Sequence, residues 1–198
     1  MSNYPMCLCS FPYCAAYVFT NNVQTKPDPG LKCKGTIILF VFVLFLSNCS
    51  NQSGTKLPDF NTLTMQGKEI STSQLSGKIT VIKIWATWCG SCREEIPELN
   101  QLVETYQSDS NVVFIAITDD PRETIEKFIQ KRPFKYEQIC DAGELKNKLQ
   151  KGIYQEIPEH IIVDQHLNIV LDLSGETPGI GKILAQKIEQ LKQQKKID

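Results

Sequence analysis

At 198 residues with 41% hydrophobic side chains, the chain can hold one domain of common size plus appendages, with a core that needs no disulfide staples. Its 21 basic residues against 22 acidic ones leave it nearly neutral, and no basic block extends beyond Lys195-Lys196, which argues against a nucleic-acid partner. The eight cysteines fall unevenly: Cys7, Cys9, Cys14, Cys33 and Cys49 precede the globular part, and Cys89, Cys92 and Cys140 lie in it. Three cysteines cannot all pair within one domain, so this is not a disulfide framework.

Residues 1–35 form an N-terminal extension, and its first thirty residues carry neither helical nor strand period. Leu31 is the expected translation start, with CKGTIILFVFVLFLSNC inside the true leader. Cys7, Cys9, Cys14 and Cys33 have irregular spacing and no histidine among them, a poor set for zinc, so no metal is expected there. Residues 36–49 read as a signal peptide: Lys32 and Lys34 precede an apolar run from Ile37 to Leu46 that ends at Ser47, Asn48 and Cys49. The run is far shorter than the roughly 20 residues a spanning helix needs. Its end, Leu46-Ser47-Asn48-Cys49, resembles a bacterial lipobox, although Asn48 departs from the usual small residue. That resemblance implies lipidation at Cys49 and a membrane tether without a span; a plain signal peptide or an uncleaved short anchor is the other reading. Residues 50–56 are a polar linker.

From Leu57 to about residue 193 the pattern is globular. DFNTLTMQGKEIS predicts a small hairpin turning near Gln66-Gly67. ITVIKIWAT, from Ile79, is rich in β-branched residues and predicts a central strand. After Cys92, Ile96, Leu99, Leu102, Val103 and Tyr106 share one face of an amphipathic helix that contains Pro97, where a kink is expected. VVFIAIT, from Val112, predicts a second buried strand, and Asp120 is placed to cap a helix that opens at Pro121, with Glu123 three residues on. A short strand at KYEQIC and a short helix at GELKNKLQKG follow, then a hairpin of HIIVD and NIVLDL, then a last helix from Ile180. The order β–α–β–α, β-hairpin, α predicts an α/β domain with a mixed central sheet flanked by helices and an N-terminal hairpin extension.

The chemistry centres on WATWCGSCREEIP, residues 85–97. Structural zinc would need further ligands, but Cys140 stands alone and the two histidines, His160 and His166, flank and enter a hairpin. A disulfide closing so short a loop removes little entropy from the unfolded chain, so it makes a poor staple. Its value is chemical. With Cys89 at the end of the strand loop and Cys92 in the first helical turn, Cys89 meets unpaired N–H groups and the positive helix end, which favour a thiolate. Cys89 is then the nucleophile toward a substrate disulfide, and Cys92 resolves the mixed disulfide.

WATWCGSCREEIPEL resembles the active site of the thioredoxin superfamily, in particular the envelope-anchored disulfide reductases of TlpA/ResA type, over about residues 57–193. The resemblance implies a thioredoxin-like fold, protein disulfides as substrates, a membrane electron donor for re-reduction, and a place in the bacterial envelope on the periplasmic side. It also implies a role in thiol delivery such as cytochrome c maturation, with no bound cofactor. It places a cis-proline loop at Ile157-Pro158, with the backbone before the proline pairing with substrate and Trp88 beside the groove. Glu95 corresponds to a glutamate that relays protons to the buried cysteine; a solvated acid supporting the helix dipole is the alternative. Glu159 would put negative charge near the groove.

The motif departs from its relatives in its Gly90-Ser91 dipeptide and in Lys83, where an acid or Asn is usual. A buried Lys83 needs a partner, and one whose stem snorkels to a sheet edge does not. Trp85 is either groove or core, and Cys140 either a regulatory thiol or a small core residue. Two rival functions differ in kind: a peroxidase related to the peroxiredoxins, for which no Pro-x-x-x-Thr precedes Cys89 or Cys140, and a non-catalytic binding module, against which the intact CxxC speaks. A disulfide oxidase is the same chemistry run in reverse. GETPGIGKI, from Gly175, lacks phosphate-loop spacing and reads as a turn into the last helix.

Overall fold

The computed structural model describes residues 55–150 and 156–194. The N-terminal extension 1–35, the signal peptide 36–49 with Cys49, and residues 50–54 of the linker lie outside the described residues. No helix among the described residues is long and apolar enough to cross a membrane.

Strand β1 spans Thr55–Lys56, β2 Asn61–Leu63, β3 Glu69–Ser71, β4 Ile79–Ile84, β5 Val112–Ile117, β6 Glu137–Ile139, β7 Glu159–Val163 and β8 Asn168–Ser174. The helices are α1 Thr72–Leu75, α2 Gly90–Tyr106, α3 Arg122–Lys131, α4 Gly143–Leu149 and α5 Ile180–Gln194. Six strands form one sheet in the order β1-β8-β7-β4-β5-β6, and β2 pairs with β3 in a separate hairpin. Strand β4 runs parallel to β5, and β5 parallel to β6, because α2 and α3 carry the chain back across the sheet between them. The β7–β8 hairpin returns antiparallel on the other side of β4. The mixed sheet flanked by helices is thus as the sequence pattern predicts.

All six residues of β4 are buried, as a strand covered on both faces requires. One face carries Ile79, Val81 and Trp85, which pack with Leu99 of α2 and with Leu184 and Ile188 of α5. The other carries Ile82 and Ile84, which meet Ile115, Ile117, Ile161 and Leu149. Close approach of α5 to α2 depends on Gly181, where an added Cβ would meet Glu98 Cγ at 2.5 Å. The β2–β3 hairpin turns at Gly67, which holds a positive φ of 77°. The last helix follows the Gly175 turn as expected.

Several local expectations change. Thr55 and Lys56 are not linker but an edge strand, with Thr55 opposite Ile169 and Lys56 opposite Asn168. Two residues carry too little periodicity to mark a strand; the exposed edge of β8 makes one of them. Helix α1 is a single turn closed by a capping box between Ser71 and Gln74. Helix α2 runs as one element through Pro97. Asp120 does not cap α3: Pro121 takes the cap position with no side-chain bond, and Asp141 Oδ2 accepts the Arg122 N–H at 3.2 Å.

Trp85 resolves to the core. It has no exposure, and its ring lies 5.2 Å from Phe128 and 5.3 Å from Phe134, centroid to centroid, in edge-on contacts. Trp88 is 70% exposed. Trp85→Ala should therefore cost about 3–5 kcal/mol of unfolding free energy in urea, whereas Trp88→Ala should stay within about 0.5 kcal/mol of wild type. Equal losses at the two positions would contradict this division.

Candidate active site

The end of β4 fixes the position of the cysteines. After Ile84 the chain leaves the sheet, and Cys89 becomes the N-cap of α2 with extended backbone, φ −74° and ψ 115°. A helix starts with four N–H groups that lack intrahelical acceptors. Here the Cys89 sulfur accepts one of them, the Cys92 N–H, at 3.2 Å. Cys89 and Cys92 are joined as a disulfide, with Cα atoms 5.3 Å apart. Cys89 keeps 5% exposure and Cys92 none, so Cys89 is the less deeply buried of the two. The Ser91 hydroxyl stands 3.6 Å from the Cys89 sulfur.

Two other loops brace this one. Asp120, at the same end of the neighbouring parallel strand, accepts the Thr87 N–H at 2.6 Å through Oδ2. Its own N–H donates to Thr118 Oγ1 at 3.0 Å. On the opposite side, Ile84 pairs with Glu159, which puts Pro158 at the level of Trp85, on the same end of the sheet as the cysteines. The Ile157–Pro158 peptide is cis. The Pro158 carbonyl accepts the Gly175 N–H at 2.8 Å, which ties the loop to the end of β8.

Beneath the cysteines sits a buried ionic cluster. Lys83 and His160 are opposite each other in the β4–β7 ladder, so both side chains leave the sheet on one face, and both are wholly buried. They converge on Glu95 of α2, which is 7% exposed. Lys83 Nζ donates to Glu95 Oε2 in a buried ion pair, and His160 Nε2 lies 2.9 Å from the same oxygen. Burial pushes the Lys83 pKa down and outweighs the Glu95 charge that raises it. Burial would push Glu95 up, but the His160 hydrogen bond and then Lys83 outweigh that and hold its carboxyl below the usual range. Burial likewise drives His160 down, past the upward pull of Glu95.

Lys83 therefore does not snorkel. Its strand lies inside the sheet between β5 and β7, and the charge is met within the core. Nor is Glu95 a solvated acid on the helix dipole. Glu159 is not a fixed negative charge at the groove: it is 3% exposed, accepts from Gln150 Nε2 at 2.6 Å, and burial followed by nearby Asp172 pushes its pKa up to about 7. Cys140 packs partly buried beside the core, where burial and then Asp141 push its thiol up to about 11, away from reactivity. Sequence reasoning passed over His160 and misplaced Asp120. The available signal was a polar residue inside an apolar strand, the histidine of EHIIV answering the lysine of ITVIKI.

Both Glu95 and His160 hold fewer protons folded than unfolded at acid pH. The stability they confer is full above their unfolded values of 6.5 for His160 and 4.5 for Glu95, and is lost as pH falls through their lowered folded values. Urea unfolding free energies should accordingly decline from about pH 7 to about pH 3. Glu95→Ala should lose about 3–5 kcal/mol at neutral pH by leaving Lys83 uncompensated, with a flatter decline below its unfolded value. A parallel decline in the variant would show that Glu95 does not titrate as described.

A model described as the AhpC/TSA family matches residues 53–171. A Bacillus cereus protein named thiol-disulfide oxidoreductase ResA is 29% identical over 128 residues, covering 63% of this chain and 71% of the relative. The fold is shared with a thioredoxin-family thiol:disulfide interchange protein from Chlorobium tepidum, at a TM-score of 0.60 and 23% identity over 70% of this chain and 96% of the other. It is shared also with a thiol-disulfide oxidoreductase from Bacteroides fragilis, at a TM-score of 0.57 and 23% identity over 69% and 99%. A match over more than half its length, on a sheet and helix arrangement of the same kind, means that the chain belongs to the AhpC/TSA family as a thiol–disulfide oxidoreductase of thioredoxin-like fold.

Proposed function

We propose that the chain reduces disulfides of exported proteins in the bacterial envelope through Cys89 and Cys92. The observation that carries this reading is the sulfur of Cys89 at the mouth of α2, accepting a helix N–H, with Cys92 one turn behind it. A helix N-terminus stabilises negative charge, so the reduced Cys89 ionises more readily than a free thiol. The Cys89 thiolate attacks one sulfur of the substrate disulfide and expels the other as a thiolate. Cys92 then gives up its proton, with Glu95 as the acceptor, and attacks the Cys89 sulfur. That step releases the second substrate thiol and closes the Cys89–Cys92 disulfide, so two electrons pass from the cysteine pair to the substrate.

Trp88 and the Ile157-Pro158 loop form the substrate-binding rim. The first is an exposed ring next to the attacking cysteine, and the second leads into β7, the strand adjacent to β4. Compartments outside the cytosol are oxidising, so continued turnover requires a membrane protein that returns electrons to the pair. Lipidation at Cys49 would tether the domain on the periplasmic side, near such a donor. The similarity to proteins named ResA favours a role in thiol delivery of the kind cytochrome c maturation uses.

Catalytic amounts of the chain should speed insulin reduction by dithiothreitol, and Cys89→Ser should abolish that acceleration. Cys92→Ser should accumulate mixed disulfides through Cys89; partners attached through Cys140 instead would refute the assigned roles. The potential of the pair separates direction: a value near roughly −270 mV supports a reductase, and one near roughly −120 mV an oxidase.

A further inference from the structure

The ionic cluster under Cys92 holds two buried polar atoms that have no partner among the described residues. Glu95 Oε2 receives both Lys83 and His160, while among the described residues neither Glu95 Oε1 nor His160 Nδ1 has a hydrogen-bond partner. A carboxylate can only accept, so the proton in the His160–Glu95 contact sits on Nε2, and in a neutral imidazole Nδ1 is then bare. Buried polar atoms are rarely left unpaired, and a group that stays so beside reactive chemistry is a candidate for proton exchange. Glu95 lies three residues after Cys92 on α2, so the two side chains occupy one face of the helix about a turn apart, both buried.

We propose that His160 is a positioning residue: together with Lys83 it claims one oxygen of Glu95, keeps the group a carboxylate, and leaves the other oxygen free to take the proton of Cys92 during resolution. The inference rests on Cys92 being the resolving thiol. In the step, the S–H proton of Cys92 passes to Glu95 Oε1 as the Cys92 sulfur attacks Cys89. The bond between Cys89 and the substrate sulfur breaks, the Cys89–Cys92 bond forms, and the departing thiolate carries off the electron pair and is protonated by solvent, to which Glu95 later returns its own proton.

The charged and titratable groups around the cluster come from every element packed on it. Lys83 comes from β4, His160 from β7, and Glu95 and Glu98 from α2, with Glu98 adding negative potential at His160. Tyr136, ahead of β6, is buried near Glu95 with its hydroxyl unpartnered, and burial followed by Glu95 raises its pKa so that it stays neutral. Lys83 is the only cation in this set and His160 its only other donor to Glu95. Without His160, one ammonium must hold the carboxylate against the cost of burial, and the carboxyl protonates at higher pH.

The test mixes the reduced full-length chain with oxidised glutathione and follows closure of the Cys89–Cys92 disulfide by tryptophan fluorescence in stopped flow. At high glutathione disulfide the concentration-independent step is the attack of Cys92. Across about pH 3 to about pH 8 its rate should rise along an acid limb set by Glu95. His160→Phe should move that limb upward by about one pH unit, a rate about tenfold lower on the limb, and His160→Gln, which keeps a donor, should move it back toward wild type. A limb in His160→Phe that coincides with wild type overturns the proposal, whatever happens to thermal stability. Should His160→Phe fail to fold, ¹⁵N shifts of His160 in the wild-type chain decide: a neutral ring protonated on Nε2 is expected, and one protonated on Nδ1 overturns it. Failure of the parent reading looks different, because Cys92→Ser would then give the same fluorescence change as wild type, and this inference would fall with it.

Discussion

A helix that begins without acceptors for its first N–H groups has a debt of hydrogen bonds, and in this fold a sulfur settles it. Cys89 is where β4 hands over to α2, and the same geometry that caps the helix makes the sulfur a favourable site for negative charge. The rest of the structure follows from keeping that junction in place. Strand β4 is fully enclosed, with a neighbour on each side and apolar layers on both faces. A sulfur hung from its end inherits the stiffness of the core while its residue keeps a small exposure.

Burial on both faces also explains the ionic cluster. A lysine in the middle of β4 has no route to water, so its charge must be met inside, and α2 and β7 supply Glu95 and His160 at the same depth. Such a cluster is weak evidence for stability, because desolvating three polar groups offsets most of what their attraction contributes. Its placement one turn below the second cysteine is what the proposed transfer of the Cys92 proton to Glu95 would use.

Much of this was legible in the residues. Runs of β-branched and apolar residues located β4 and β5, turn residues the β7–β8 hairpin, and a 3.6 period helices α2 and α5, because each buries enough apolar surface to leave a pattern. The CxxC between strand and helix identified the cysteines by local geometry alone. What escaped notice depends on distant parts of the chain meeting. Thr55 and Lys56 are a strand only because β8 offers an edge. In the sequence His160 is weighed only as a zinc ligand, because Glu95, its partner, is 65 positions away. Asp120 read as a helix cap on sound local grounds, but the Thr87 N–H, 33 positions earlier, competes for the same carboxylate and wins.

That exchange of carboxylates reaches further than one bond. Asp120 serves the cysteine loop, so α3 turns to Asp141 for its first amide, and Asp141 in turn gives its own N–H to the Asp120 carbonyl at 3.1 Å. Asp141 holds a left-handed φ of 53°, a conformation that aspartate tolerates better than most side chains. The connections after β4, β5 and β6 are thereby laced in sequence, like planks pegged edge to edge. The seat of the outer sulfur is anchored as far away as the opposite margin of the sheet, and its steadiness belongs to all three connections at once.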